Sequence, residues 1–301
     1  MESPRLSRFK RAPAIAPLHL TERDRQIIRL VHRHRFLRSH QIITLLGASP
    51  QQVSRRLQLL YHHGYLERPR AQLQYYERGG SRSIAYGLGN KGGELLRQEA
   101  AIAVHADSWG EKNHIIGRVY LEHSLFVAEV MVAIELACRK RGGIRLKYED
   151  ELALDFRRQP LRWRVTIQGR KLGVIPDRVF ALEYADAGGR NERAYFFLEA
   201  DRGTMPVTRR TLVQTSFARK LRAYEATWTQ NIHRDELGIN RFRVLTVTSS
   251  AARVKSLVEA CLQLGRGHGL FLFADKSILT GDLLSSIWQT GKPGKTGGIL
   301  D

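Results

Sequence analysis

An α+β protein of two domains is what this sequence predicts, on three observations. Apolar residues recur at helical spacing through three short segments in the first hundred residues, with a tight turn between two of them. From about residue 144 onward, β-prone runs alternate with helical ones, as a mixed central sheet with helices requires. Two of those β-prone runs meet through a turn and carry carboxylates at one end. The fold class expected is therefore a small helical domain followed by a larger α/β domain with a mixed sheet.

The chain has 301 residues, a hydrophobic fraction of 43% and a net charge of +20. Such a composition is that of a folded protein, and the charge calls for an anionic partner, nucleic acid before membrane. Arg far outnumbers Lys, so a generally basic proteome explains part of the excess and hardly all of it. Residues 1–107 hold 18 Lys and Arg against 8 Asp and Glu, a net +10; the other 194 residues carry +10 at about half the density. The two cysteines, Cys138 and Cys261, lie in apolar helical surroundings and read as reduced core residues. The basic start lacks the apolar stretch of a signal peptide, and Glu122, Glu129 and Glu135 interrupt the apolar run Leu121–Cys138, so a cytoplasmic protein without a membrane span is expected.

Residues 1–17, basic and with prolines at 4, 13 and 17, are expected to be a flexible arm. Thr21 begins the first firm element as an N-cap, with Glu22 and Asp24 in the first turn. Ile27, Leu30, Val31 and His34 follow at helical spacing. A second helix runs from about Ser39 to Leu46 and stops at Gly47. Ser49-Pro50 restarts the chain as cap and first turn. The third helix turns Val53, Leu57, Leu60 and Tyr61 inward and Gln51, Gln52, Ser54, Arg55, Arg56 and Gln58 outward, ending at Gly64. Two short helices, a tight turn and a third helix with a polar, basic face make a helix-turn-helix. Tyr65–Arg68 and Ser83–Leu88 read as the strands of a wing, bearing Arg68, Arg70, Arg78 and Arg82. The alternative is a small three-helix module for protein contacts. A helix from Asn90 to about Ala103 completes the domain at 18–107, and 108–118 reads as a linker.

The larger domain is expected at 119–290 and a flexible Gly- and Lys-containing tail at 291–301. Its helix from Tyr120 to Arg139 is apolar enough to be buried. At its centre Gly173-Val-Ile-Pro-Asp177 precedes a strand Arg178–Tyr184, a turn at Asp186–Asn191, and a strand ending Phe197-Leu-Glu199-Ala-Asp201. Residues two apart in a strand share a face, so Glu199 and Asp201 lie side by side, and hairpin pairing can bring Asp177 beside them. Carboxylates so gathered repel unless a cation or proton sits among them, which is the chemistry of a Mg²⁺ site for phosphodiester hydrolysis. Acidic residues at strand ends are also ordinary, which is the competing explanation. Glu122 or Glu129 is a candidate to complete the metal site. Ile144–Leu154 and Arg162–Ile167 are expected as edge strands. Arg209–Trp228 follows as a basic helix with Lys220 and Tyr224 one turn apart on one face. Arg243–Val247 and Gly269–Ala274 read as strands, Arg253–Leu264 and Leu283–Trp288 as helices; no repeat, P-loop or zinc pattern occurs.

The first domain resembles the bacterial winged-helix DNA-binding domain through Leu20-Thr-x-x-Asp24 and Arg55-Arg56-Leu57-x-x-Leu60-x-x-x-Gly64-Tyr65-Leu66. The order of elements in the second resembles the PD-(D/E)xK, restriction-endonuclease-like fold. Taken whole, the winged helix, Pro176-Asp177, Glu199-Ala-Asp-Arg-Gly-Thr204 and Lys220-Leu-Arg-Ala-Tyr224 resemble the replication-relaxation family of plasmid and mobile-element proteins, over roughly residues 20–275. The resemblance implies double-stranded DNA as partner, with other replication or mobilisation proteins and a second copy of the chain as further candidates. One departure stands out. Nucleases of this fold keep Lys two residues after the Glu, and here that residue is Asp201. Either Lys220 supplies the charge from the next helix, giving a Mg²⁺-dependent endonuclease or nickase with Asp177, Glu199, Asp201, Lys220 and Tyr224 at its site, or the domain binds DNA without cutting it. A structural protein unrelated to DNA fits the charge poorly.

Overall fold

The computed structural model describes residues 8–12, 17–73, 83–100, 108–152, 161–186, 188–211 and 214–301. It is a mixed α+β chain that divides into two compact units, residues 1–132 and 133–301, the division falling inside one helix.

In the first unit, helix α1 spans Glu22–His34. The Thr21 N–H donates to Asp24 Oδ2 at 2.7 Å and the Asp24 N–H to Thr21 Oγ1 at 3.3 Å, so each closes an otherwise unpaired donor. Strand β1 (Phe36–Arg38), helix α2 (Ser39–Leu46) and helix α3 (Pro50–His62) follow. Gly47 ends α2 at φ 59°, in the left-handed region where a side chain is strained. Strands β2 (Leu66–Glu67) and β3 (Ala85–Leu88) complete a three-stranded sheet of order β1-β3-β2. The three-residue β1 went unforeseen because so short a run shows no alternation. Helix α4 (Asn90–Ala100) and helix α5 (Trp109–His114) come next, α5 lying within the stretch expected to be a linker. Gly89 is required sterically, since a Cβ there would stand 2.3 Å from the Gly64 carbonyl oxygen. Ile27, Val31, His34, Ile42, Val53, Leu57 and Leu60 are buried, as the helical spacing predicts; Leu30 is half-buried, and Ile28 and the strand residue Phe36 are buried as well. Helix α6 runs Arg118–Arg141.

The second unit holds a seven-stranded mixed sheet of order β12-β11-β10-β9-β8-β7-β4. Strand β4 (Ile144–Tyr148) is one edge, antiparallel to β7 (Arg178–Ala185), which pairs antiparallel with β8 (Asn191–Asp201). The expected hairpin thus forms, with Arg178 opposite Leu198. Strands β8, β9 (Phe242–Thr248) and β10 (Phe271–Asp275) are parallel, joined through helix α7 (Phe217–Thr229), with the one-turn helix α8 (Ile232–Asp235), and through helix α9 (Ala251–Cys261). Both long helices pack into one core with the sheet, through Leu221, Tyr224, Leu257 and Cys261 against Phe197, Val244 and Phe273.

Three expectations are corrected here. The expected edge strand at Arg162–Ile167 is β5 (Trp163–Ile167), and it forms a separate two-stranded ribbon with β6 (Arg170–Val174) instead of an edge of the main sheet. Trp163 explains it: its indole N–H donates to Thr227 Oγ1 of α7 at 2.8 Å, so the ribbon closes over that helix. Residues 283–287 turn, and Trp288–Thr290 is strand β11, because the fully buried Trp288 is held in the sheet beside β10. The tail at 291–301 is tied down: β12 (Thr296–Gly297) pairs with β11, Ile299 is buried, and Arg243 donates to the Gly298 carbonyl at 3.1 Å. Cys138 and Cys261 are buried free thiols, as expected.

Candidate active site

The site is built where β8 leaves the sheet core. The strand is continuously buried from Phe196 to Asp201, which a central parallel strand requires. Asp177, just after Pro176, donates its N–H to the Leu198 carbonyl at 3.0 Å and accepts the Ala200 N–H on Oδ2 at 2.8 Å. Its carboxylate is thereby fixed across the end of β8. Glu199 is 2% exposed, and both of its oxygens are engaged from α7: Lys220 Nζ lies 2.5 Å from Oε2, and Tyr224 Oη donates to Oε1 at 2.6 Å. Helical geometry makes the pair possible, since residues four apart stand one above the other. The start of α7 is anchored by the Ser216 hydroxyl, which accepts the Arg219 N–H, and by N–H groups of Phe217 and Ala218 donating to the Pro206 and Val207 carbonyls. The Tyr224 ring stacks on Phe197, centroids 5.8 Å apart, which aims its hydroxyl at Glu199.

Burial pushes the Glu199 carboxyl up to about 7, with Lys220 opposing and Asp177 adding to the rise. Burial by itself would lower the Lys220 ammonium, but Glu199 and Asp177 outweigh it and raise it above its ordinary value. Burial also lifts the Tyr224 hydroxyl well above its usual range, with Glu199 adding to the shift. Lys220 stays charged at neutral pH and, a third exposed, presents that charge to solvent.

Asp201 shares the face but is committed elsewhere. Arg253 Nε and Thr248 Oγ1 each donate to Oδ2 at 2.8 Å, and the Gly203 N–H reaches Oδ1 at 3.1 Å. Arg253 also holds the Met205 carbonyl at 2.6 Å, so Asp201 clamps α9 and the loop after β8 instead of standing open beside Glu199. Sequence reasoning passed over Arg253 and Thr248. The available signal was a basic side chain in the first turn of α9, where the helix dipole disfavours it without an acidic partner. The expected glutamates of α6 are also corrected. Glu122 pairs with Arg118 at 2.7 Å and Glu129 is exposed. The buried one is Glu135, held by Arg139 at 2.5 Å and the Tyr148 hydroxyl at 2.6 Å. Among the described residues no group of three or more His, Cys, Asp or Glu is arranged to hold a metal ion. Asp177 and Glu199 are the two carboxylates at this end of β8 that could hold a cation.

In the first unit, Gln51, Gln52, Ser54 and Arg55 are exposed on α3, and Arg70 is exposed after β2. Arg56 is not outward. Its guanidinium donates to Asp24 Oδ1 at 2.8 Å and reaches Oδ2 as well, tying α3 to α1. Burial would raise the Asp24 carboxyl, but Arg56 and Thr21 hold it below its ordinary value. Arg68 is buried, its guanidinium 4.2 Å from the Tyr61 ring centroid and bonded to the Tyr86 hydroxyl at 3.0 Å, so it serves packing instead of an outer basic surface. Arg78 and Arg82 lie outside the described residues.

Residues 28–241 match the replication-relaxation family, well over half of the chain. The chain belongs to the replication-relaxation family. No curated protein and no solved structure matches it. The matched stretch contains α3, Asp177, Glu199, Lys220 and Tyr224 and stops before Thr248 and Arg253. Membership in the replication-relaxation family points to a role in replication or mobilisation. Among the described residues no helix is long and apolar enough to cross a membrane.

Proposed function

We propose that this replication-relaxation protein binds duplex DNA through a winged helix in its first unit and cleaves one strand at the Asp177–Glu199–Lys220 site of its second, a PD-(D/E)xK-like domain of plasmid or mobile-element replication. The observation that carries the proposal is the Lys220 ammonium 2.5 Å from Glu199, delivered from α7 in place of the strand lysine that Asp201 displaces. A lysine has a long, flexible stem, so its charge can reach one point from either element. Asp177 and Glu199 would hold Mg²⁺ together with the substrate phosphate. The ion, when bound, would neutralise the phosphate and acidify an attacking water. Asp177 would hold the ion from the β7 side. Lys220 stabilises the charge that develops on the phosphate, and Tyr224 fixes the rotamer of Glu199.

The test is incubation of supercoiled plasmid with the protein in Mg²⁺ or Mn²⁺. Wild type should nick, and Lys220→Ala should nick slower by about two orders of magnitude or more, the scale of one lost transition-state contact. Asp177→Asn should abolish any rise in melting temperature that millimolar Mg²⁺ produces. Nicking by Lys220→Ala at the wild-type rate would remove the lysine from the mechanism. A second reading has its own observation: both Glu199 oxygens are already occupied by Lys220 and Tyr224. Absence of nicking in either metal would favour it, making the domain a non-catalytic DNA-binding scaffold in which Lys220 is the built-in counter-ion.

A further inference from the structure

The second unit carries a cluster of cations that the site above does not use. A cavity of about 450 Å³ lies between the tip of the β5–β6 ribbon, the loop after β8 and the outer face of α7. Arg170, Arg209, Arg210, Arg219 and Arg222 line it, with Thr, Ser and Gln side chains between, and no carboxylate is among the described residues around it. A second cavity of about 670 Å³ adjoins it, sharing Gln168 and Arg222 and adding Arg266. The one carboxylate there, Glu225, accepts the Arg266 backbone N–H at 2.9 Å. Among the described residues, Arg170, Arg209, Arg210 and Arg222 pair with no carboxylate.

Local sequence produces this concentration. From Arg162 to Val174 the ribbon holds Arg162, Arg164, Arg170 and Lys171 and no acidic residue; from Arg202 to Arg222 the chain holds five arginines and Lys220, again with no acidic residue. Trp163, Val165, Leu172 and Val174 turn into the core, so pleating puts Arg164 and Lys171 on the outer face, while Arg170, on the side of Leu172 but at the exposed tip of the ribbon, lines the cavity. Like charges held this close repel unless anions lie among them. Guanidinium forks match phosphate oxygens in pairs. Two joined cavities floored by one helix exceed a single phosphate and suit successive ones.

Resting on the strand-cleaving function above, we propose that this arginine groove holds the phosphodiester backbone of a nucleic-acid strand, beside the helix that delivers Lys220. Arg219 and Arg222 share one face of α7, while Lys220 is turned away toward Glu199, about 100° from Arg219 and about 160° from Arg222. A strand seated in the groove therefore runs along the same helix that supplies the charge at the site. The second unit would then have its own grip on DNA, separate from α3.

The test measures binding of fluorescent oligonucleotides, single-stranded and duplex, to the full chain across a salt series. The background is Lys220→Ala, so that loss of cleavage and loss of binding are read apart. R170Q/R209Q/R210Q should lower the slope of log K against log salt by about two to three, at about 0.7 to 0.9 per lost phosphate contact. R170K/R209K/R210K should restore most of it. K276Q/K292Q/K295Q removes the same charge from exposed residues elsewhere in the unit and should leave the slope nearly unchanged. Whichever oligonucleotide shows the larger loss identifies the form of strand held. Equal loss in the groove and control variants would reduce the effect to net charge and overturn the groove, as would no loss in either. Competition by polyglutamate as effective as by DNA of equal charge would overturn it in favour of an acidic protein partner. None of these outcomes depends on whether the protein nicks.

Discussion

Glu199 sets the chemistry of the site at the scale of a single residue. A carboxylate 2% exposed survives in charged form only with partners, and its partners are Lys220 and Tyr224 on α7, while the nearby Asp177, just before β7, opposes its charge. Its carboxyl is raised by burial to about 7, against 4.5 for the free group. Between those values the folded protein holds a proton that the unfolded chain has released. The stabilising contribution is therefore full below about pH 4.5 and is lost as pH rises through about 7. Melting temperatures of wild type should fall over that window more steeply than those of Glu199→Gln, whose amide does not titrate. Parallel curves for the two proteins would place the pH dependence elsewhere. The carboxylates of this site were legible in the sequence because strand alternation and the Pro176-Asp177 turn restrict where they point. The commitment of Asp201 to Arg253 was not, because fifty residues separate them and only the parallel β8–β9 pairing, with Asp201 opposite Thr248, brings α9 to that strand end.

At the scale of elements, α3 shows how far periodicity reads. Spacing places Val53, Leu57 and Leu60 inside and Gln51, Gln52, Ser54 and Arg55 outside, and the structure agrees. Arg56 lies at the edge of the apolar stripe, where a long side chain can serve either face, and a tertiary partner decided it. Asp24 is fully buried, so removing its guanidinium strands a charge. Arg56→Ala should cost about 3 kcal/mol in urea unfolding, the scale of breaking a buried pair. Arg55→Ala should change stability by no more than about 0.5 kcal/mol while weakening duplex binding and lowering its salt slope by about 0.9. Equal stabilities for the two variants would show that the Asp24 contact contributes nothing. The stretch Arg162–Ile167 reads as a sheet edge and is instead half of a separate ribbon, for a related reason. Alternation identifies a strand but not its neighbour, and the neighbour was chosen by the Trp163–Thr227 hydrogen bond. The tail reads as flexible because glycine and lysine hide a short hairpin; Ile299 and the bonds from Arg243 are what hold it.

Across the whole molecule, the net charge of +20 matters through its distribution. Exposed Arg55 and Arg70 lie in the first unit, and the arginine groove lies in the second. If each meets phosphates, the affinity for a duplex long enough to reach both should fall by about 10³ or more between roughly 50 and 200 mM salt, as expected for six or more contacts. The two contributions share no partner side chain, so their effects on the slope should add. Arg55→Ala alone should remove about 0.9 and R170Q/R209Q/R210Q about two to three, and the combined variant should lose the sum, about three to four. The same variants titrated with an oligonucleotide too short to engage both units should lose the contribution of one unit only. A combined variant no worse than the groove variant would mean that α3 makes no phosphate contact of its own. The first unit would then be a protein-contact module, and DNA would be held by the second unit alone.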